Sequence, residues 1–210
     1  MHIFKSHDEL AWGNLDVPLF AILHDWYRVA LDRPGMFSLL EDPNSLWFIG
    51  IFNKPAATHP QAEPLTFLPE LWKYDVAELF ISNPTTGAYL EFNLASHGAW
   101  WACAFSSVRC PRSNQPDFER HVQPFGDATD PARAIAAMRI PLDFLKFEID
   151  FGSQSGANVT MIRNTPDRQY LSVAELSGSV PDFHQPEQFP PMTYVPILQK
   201  PSPGYPNLAP

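Results

Sequence analysis

The sequence predicts an all-β chain, a two-sheet antiparallel β-sandwich with long proline-rich loops and one or two short helices. Three observations carry that prediction. Proline accounts for 23 of 210 residues, about twice the average usage of ~5%, and 16 Phe, 6 Trp and 6 Tyr give a turn-punctuated, aromatic-rich composition. Residues 75–94 read as a hairpin with one wholly apolar face. Short apolar or alternating runs recur between turn signals, giving roughly eight or nine strands, with no repeat at a solenoid or propeller period.

In chain order, residues 1–16 form a polar, weakly patterned entry segment. Pro18 to Arg33 carries apolar residues at Leu19, Phe20, Ile22, Leu23, Trp26 and Tyr27, a spacing that fits a short helix or two buried strand pieces. Pro34-Gly35 ends it. Met36–Leu40 and Ser45–Asn53 read as strands. The second is apolar on both faces, as expected of a central strand. Residues 54–70 contain Pro55, Pro60, Pro64 and Pro69 and form a long loop, a common home of function. Val76–Ile81 and Ala88–Leu94 then flank a six-residue turn, Ser82 to Gly87. Symmetric closure pairs residue 78 with 91. Ala77, Leu79, Ile81, Leu90, Phe92 and Leu94 then share the core face, while Val76, Glu78, Phe80, Tyr89, Glu91 and Asn93 share the other. Ala99–Val108 is a further strand, 109–131 is irregular, and Ala132–Ile140 fits helix or strand. A short helical turn follows at 141–145, and strands are expected at Phe147–Phe151, Asn158–Arg163 and Gln169–Leu176. Residues 1–200 are expected to form one domain, with 201–210 a proline-rich tail.

The formal charge is 14 − 23 = −9, and the basic residues are scattered, which argues against a nucleic-acid partner. A hydrophobic content of 45% excludes an acidic disordered chain. No stretch reaches the ~18 uncharged apolar residues of a membrane helix, and the start lacks a secretion pattern. The expectation is therefore a cytoplasmic chain with no membrane partner and two reduced thiols, Cys103 and Cys110. Oligomeric state is left open.

Catalytic and metal templates mostly fail. Gly152-Ser153-Gln154-Ser155-Gly156 has glutamine where a nucleophile elbow needs serine, so it reads as a turn. The seven histidines show no metal-ligand spacing. Asn158-Val159-Thr160 matches a glycosylation acceptor by composition only. The Glu78/Glu91 pair repels unless something positive sits between the two. It fits a glycosidase dyad, a cation or sugar-hydroxyl site, or a solvated strand face. Trp47, inside an apolar strand, reads as core. Trp100 and Trp101 are consecutive strand residues and must point to opposite faces. Trp72 sits between the proline-rich loop and the following strand, where an aromatic platform and the Glu78 carboxylate can surround one sugar ring.

Leu71-Trp72-Lys73-Tyr74-Asp75-Val76-Ala77-Glu78-Leu79-Phe80, then Tyr89-Leu90-Glu91-Phe92-Asn93-Leu94 and Gly98, resembles the carbohydrate-binding module family 9-like domains of the DOMON-like β-sandwich group. Pro181-Asp182-Phe183-His184-Gln185-Pro186-Glu187-Gln188-Phe189 resembles their C-terminal signature, and the likeness spans roughly residues 45–190. It implies an immunoglobulin-like or DOMON-like sandwich and lectin-like, non-catalytic binding of a carbohydrate partner between two tryptophans. Trp72 matches the first clamp position, Glu78 the nearby acid and Arg163 a basic sugar contact, with Tyr74 and Asn93 added from their position in the block. The second tryptophan is expected in the 169–176 strand, which has none. No cofactor is assigned. The resemblance makes calcium an option, but no calcium-loop motif is present. The resemblance also leaves two alternatives, a scaffold that has lost its ligand and a haem-binding module using Met161 and His184.

Overall fold

The computed structural model describes residues 1–13, 17–164 and 167–196; the tail expected at 201–210 lies outside the described residues. Its strands are β1 (His2–Lys5), β2 (Phe20–His24), β3 (Ala30–Glu41), β4 (Ser45–Asn53), β5 (Val76–Ser82), β6 (Tyr89–Ala95), β7 (Trp100–Ser107), β8 (Cys110–Pro111), β9 (Gln123–Asp127), β10 (Arg133–Pro141), β11 (Gly156–Arg163), β12 (Gln169–Ser172) and β13 (Thr193–Pro196). Two helices, α1 (Phe118–His121) and α2 (Leu142–Ile149), lie among them. One sheet runs β13-β1-β3-β4-β10-β9 with β2 added on β3, and the other runs β12-β11-β5-β6-β7-β8. The all-β sandwich is as predicted. It is not wholly antiparallel, because β1 runs parallel to both β13 and β3, a pairing that long connections permit and hairpins do not.

Alternation along the strands sorts the apolar residues into three layers. Between the sheets lie Leu39, Leu46, Phe48, Leu79, Ile81, Leu90, Phe92, Leu94 and Trp100, which include the apolar face expected of the hairpin. Outside the first sheet, Leu40, Trp47, Ile49 and Ile51 pack under Trp12, Val17 and Leu19, which precede β2. Outside the second sheet, Val76, Phe80, Tyr89, Phe105 and Ile162 pack under Phe183 and Phe189 of the C-terminal segment. Strand β4 is apolar on both faces because both of its faces are covered. No helix among the described residues is long and apolar enough to cross a membrane.

Several local expectations are corrected. Pro18–Arg33 holds β2 and the start of β3, and in β2 only Ile22 is buried. Residues 132–140 are strand β10. Residues 147–149 finish α2 instead of opening a strand: Leu142, Leu145 and Ile149 fall on one buried helical face, Phe147 stands out at 86% exposure, and left-handed Asp150 stops the helix. The 109–131 stretch contains β8, α1 and β9, short edge elements whose prolines hid them. Strand β12 ends at Ser172, four residues early. The hairpin pairs Glu78 with Asn93 and Phe80 with Glu91, a shift of two residues that leaves each side chain on its predicted face. Both cysteines are free thiols. Asn158 is fully buried, with its side chain on Ser172 and the Ala174 amide.

Candidate functional site

The pleat of the second sheet places two cross-strand rows of side chains on its outer face. Ser172, Thr160, Glu78, Asn93 and Trp101 form one row from β12 to β7, and Asn158, Phe80, Glu91 and Cys103 form the next. Glu78 and Glu91 are therefore diagonal neighbours on adjacent strands. The C-terminal segment and the short 3₁₀ turn Leu71–Lys73 stand over this face. Between them is a hollow of about 450 Å³, lined among others by Trp72, Trp101, Tyr170, Arg109, Arg168 and His184, with Glu78 and Glu91 also on its lining.

Each side chain has a local reason for its place. Leu71 is buried and anchors the 3₁₀ turn, leaving Trp72 45% exposed. Trp100 and Trp101 split as consecutive strand residues must, with Trp100 in the core between the sheets and Trp101 half-buried on the hollow. A second indole thus reaches the site from β7, not from the 169–176 strand. The adjacent tryptophans were the signal that could have located it.

The acids are buried, with Glu78 at 3% and Glu91 at 4% exposure; the solvated-face reading of this pair is excluded. The Thr160 hydroxyl donates to Glu78 Oε2 at 2.7 Å, and Asn93 Nδ2 donates to Glu91 Oε1 at 3.1 Å. Burial pushes the Glu78 pKa up and repulsion from Glu91 adds to that, against smaller opposing effects of Thr160 and Arg168. Burial likewise raises Glu91, against Asn93 and Arg109. The carbonyl oxygen of fully buried Asn93 has no hydrogen-bond donor among the described residues.

One wall is a relay. The Arg109 amide donates to the Tyr89 hydroxyl oxygen at 3.1 Å, and that hydroxyl lies 2.6 Å from His184 Nδ1. The other ring nitrogen, His184 Nε2, lies 3.9 Å from Glu91 Oε2. Burial, reinforced by Arg109, lowers the His184 pKa to about 4. The Arg109 guanidinium itself donates to Asp182 at 2.8 Å. On the opposite wall, Arg168 donates to the carbonyls of Trp72 and Lys73, to Asn164 Oδ1 and to the Tyr170 hydroxyl.

Of the predicted site residues, Trp72 and Glu78 line the hollow, and Asn93 lies in the row beneath, holding Glu91. Tyr74 and Arg163 are not brought to it. Tyr74 turns to the proline-rich loop and packs edge-on against His59 at 5.1 Å. Arg163 shares the parity of Met161, which faces the core, so its guanidinium crosses to the carbonyls of Arg33 and Pro34 at 2.5 and 2.6 Å. Arg168 takes the basic place instead. Met161 and His184 lie on opposite faces of the second sheet and cannot ligate one iron. No group of three or more His, Cys, Asp or Glu converges among the described residues. Buried Asp42 is already used by four N–H donors, those of Leu10, Asn44, Ser45 and Trp47.

No family model matches the sequence. Among curated proteins, the chain is similar to the UPF0462 protein C4orf33 homolog of Mus musculus, 28% identical over 155 residues and covering 70% of this chain and 74% of that one. It is also similar to the Rattus norvegicus protein of the same name, 49% identical over 47 residues, 22% of this chain and 23% of that one. Among solved structures, a protein of Bacteroides uniformis proposed to bind carbohydrate superposes with a TM-score of 0.71 at 15% identity, covering 93% of this chain and 98% of that one. A carbohydrate-binding module family 9 from Caldicellulosiruptor kristjanssonii matches in its glucose complex with a TM-score of 0.56 at 12% identity, covering 93% and 96%. Its cellotriose complex gives 0.53 at 11%, covering 92% and 93%. The chain has the fold of the family 9 carbohydrate-binding modules.

Proposed function

We propose that the chain binds a carbohydrate in the hollow of its second sheet without cleaving it. The observation that carries this reading is the meeting of two accessible indoles, Trp72 and Trp101, with hydrogen-bonding side chains in one concave site. A pyranose has apolar C–H faces that an indole covers and equatorial hydroxyls that carboxyl, guanidinium and imidazole groups satisfy. The structural neighbours described in complex with glucose and cellotriose support a saccharide ligand for the same fold. Glu78 and Glu91 project from adjacent strands at the floor of the hollow. A glycosidase pair instead flanks the bond to be broken, and this favours binding over hydrolysis.

Calorimetric titration with glucose, cello-oligosaccharides and a broader glycan panel tests the proposal. Saturable binding is expected in the wild type, weakened about tenfold or more in Trp72→Ala and in Trp101→Ala. Trp72 is 45% exposed, so its truncation leaves thermal stability nearly intact. Binding untouched by both substitutions removes this hollow as the site, and no binding to any sugar overturns the reading in favour of a scaffold that has lost its ligand.

A further inference from the structure

Counting the donors and acceptors at the floor of the hollow narrows the ligand beyond a generic sugar. Glu78 and Glu91 are almost fully buried, and no Lys or Arg nitrogen among the described residues lies within ion-pair distance of either. The two arginines that line the hollow are engaged elsewhere, Arg109 on Asp182 and Arg168 on four oxygens of the opposite wall. The floor itself supplies few donors: one hydroxyl from Thr160 and one amide N–H from Asn93. Against these stand two carboxyl groups and the donor-less carbonyl oxygen of Asn93, which sits opposite Glu78 in the register. The floor has a surplus of acceptors and lacks a cation of its own.

We propose, resting on the carbohydrate reading, that the site selects a sugar bearing a free primary amine, with the ammonium group held by Glu78 and Glu91 and the ring stacked on Trp72 or Trp101. An ammonium brings three N–H donors and no acceptor, which is what an acceptor-rich floor needs. A hydroxyl brings a single donor and adds oxygen lone pairs to the surplus. The charge also meets the acids where water is excluded, so the attraction is less screened than at a surface. The aromatic walls add cation–π attraction instead of opposing the cation.

Keeping a proton relieves the repulsion between the two carboxyls. Burial and the mutual proximity of the two carboxyls favour that, and an arriving ammonium removes the need for it. The other titratable or charged groups around the pair are Arg168, Arg109, Asp182 and neutral His184 on the walls of the hollow, and Tyr89 and Cys103 of β6 and β7. Burial raises both Tyr89 and Cys103, so neither supplies a proton near neutrality. The proton released on binding therefore comes from the carboxyl pair.

The experiment is calorimetric titration of the wild type and Glu91→Gln with D-glucosamine, D-glucose and N-acetyl-D-glucosamine at about pH 6.5, where a primary amine of this kind is charged. Each titration is run in two buffers of different ionisation enthalpy. The wild type is expected to prefer glucosamine over both neutral sugars by about tenfold or more and to release protons only with glucosamine. Glu91→Gln should lose both the preference for glucosamine over glucose and the proton release. Equal affinity for glucosamine and glucose in the wild type, or a preference that survives both Glu91→Gln and Glu78→Gln, overturns this inference and leaves the carbohydrate reading standing. Failure to bind any sugar removes both. Should Glu91→Gln not fold, the wild-type preference and its proton release decide alone.

Discussion

Glu78 and Glu91 make opposing demands on the fold and on the ligand. A carboxyl whose folded pKa lies above its unfolded value holds its proton more tightly in the fold. Its contribution is fully present below the unfolded value near 4.5 and is lost as the pH rises toward neutrality and beyond, where the buried pair ionises. His184 works the other way, since its pKa is depressed to about 4 and the fold loses stability as the pH falls from about 6.5 toward that value. Comparing wild type with Glu91→Gln cancels the histidine. The variant should match the wild type at pH 5 and melt about 3 °C or more higher at pH 8, measured by differential scanning calorimetry. A variant less stable at pH 8 would show that Glu91 is compensated in the fold. At the same scale, Trp72 and Glu78 were legible because a rim tryptophan and a strand acid sit six residues apart on one approach to the sheet. Arg163 was misread because its parity sends it to the core side, and Arg168 was invisible because a loop, not a period, delivers it.

The turn from β6 to β7 is the element that brings Trp101 to the site, and Gly98 is its constraint. Its φ is +85°, and an added Cβ would meet Leu65 Cδ2 at 2.5 Å and the Phe125 carbonyl oxygen at 2.9 Å. Gly98→Ala should cost about 2–4 kcal/mol, read from urea unfolding, and a neutral substitution would mean the turn relaxes. Arg163 ties β11 to the start of β3 through two carbonyls. Arg163→Ala should lower stability by about 1–3 kcal/mol and leave sugar affinity unchanged, whereas Arg168→Ala should weaken binding. Strand faces were readable from the period of two, so the hairpin's core face and the division of Trp100 from Trp101 follow from sequence. Register was not, because the six-residue turn sits one residue later, over 83–88 and not 82–87, and the resulting shift of two residues in pairing preserves every face. Residues 147–149 were misassigned since a short apolar run is as compatible with one helical face as with a buried strand.

Across the whole molecule, two sheets separate three apolar layers, one between the sheets and one on the outer side of each. The composition foretold the class, since abundant proline and aromatics suit short strands and long loops. It could not foretell the outer layers, because whether a mixed strand face is solvated depends on segments distant in sequence that return to cover it. Glu91 meets His184 only because residues 181–189 fold over β5–β7. Layers that share sheets should unfold together, so calorimetry of residues 1–200 is expected to give one cooperative transition, and two resolved transitions would divide the proposed domain.

The most direct measurement is a titration followed by the six tryptophan indole N–H resonances in ¹⁵N-correlated NMR spectra as D-glucosamine, and then D-glucose, is added. Two of them, assigned to Trp72 and Trp101 by their loss in Trp72→Phe and Trp101→Phe, should shift saturably together, while fully buried Trp47 stays still. Spectra unchanged by any sugar, or shifts confined to the other tryptophans, would contradict the account.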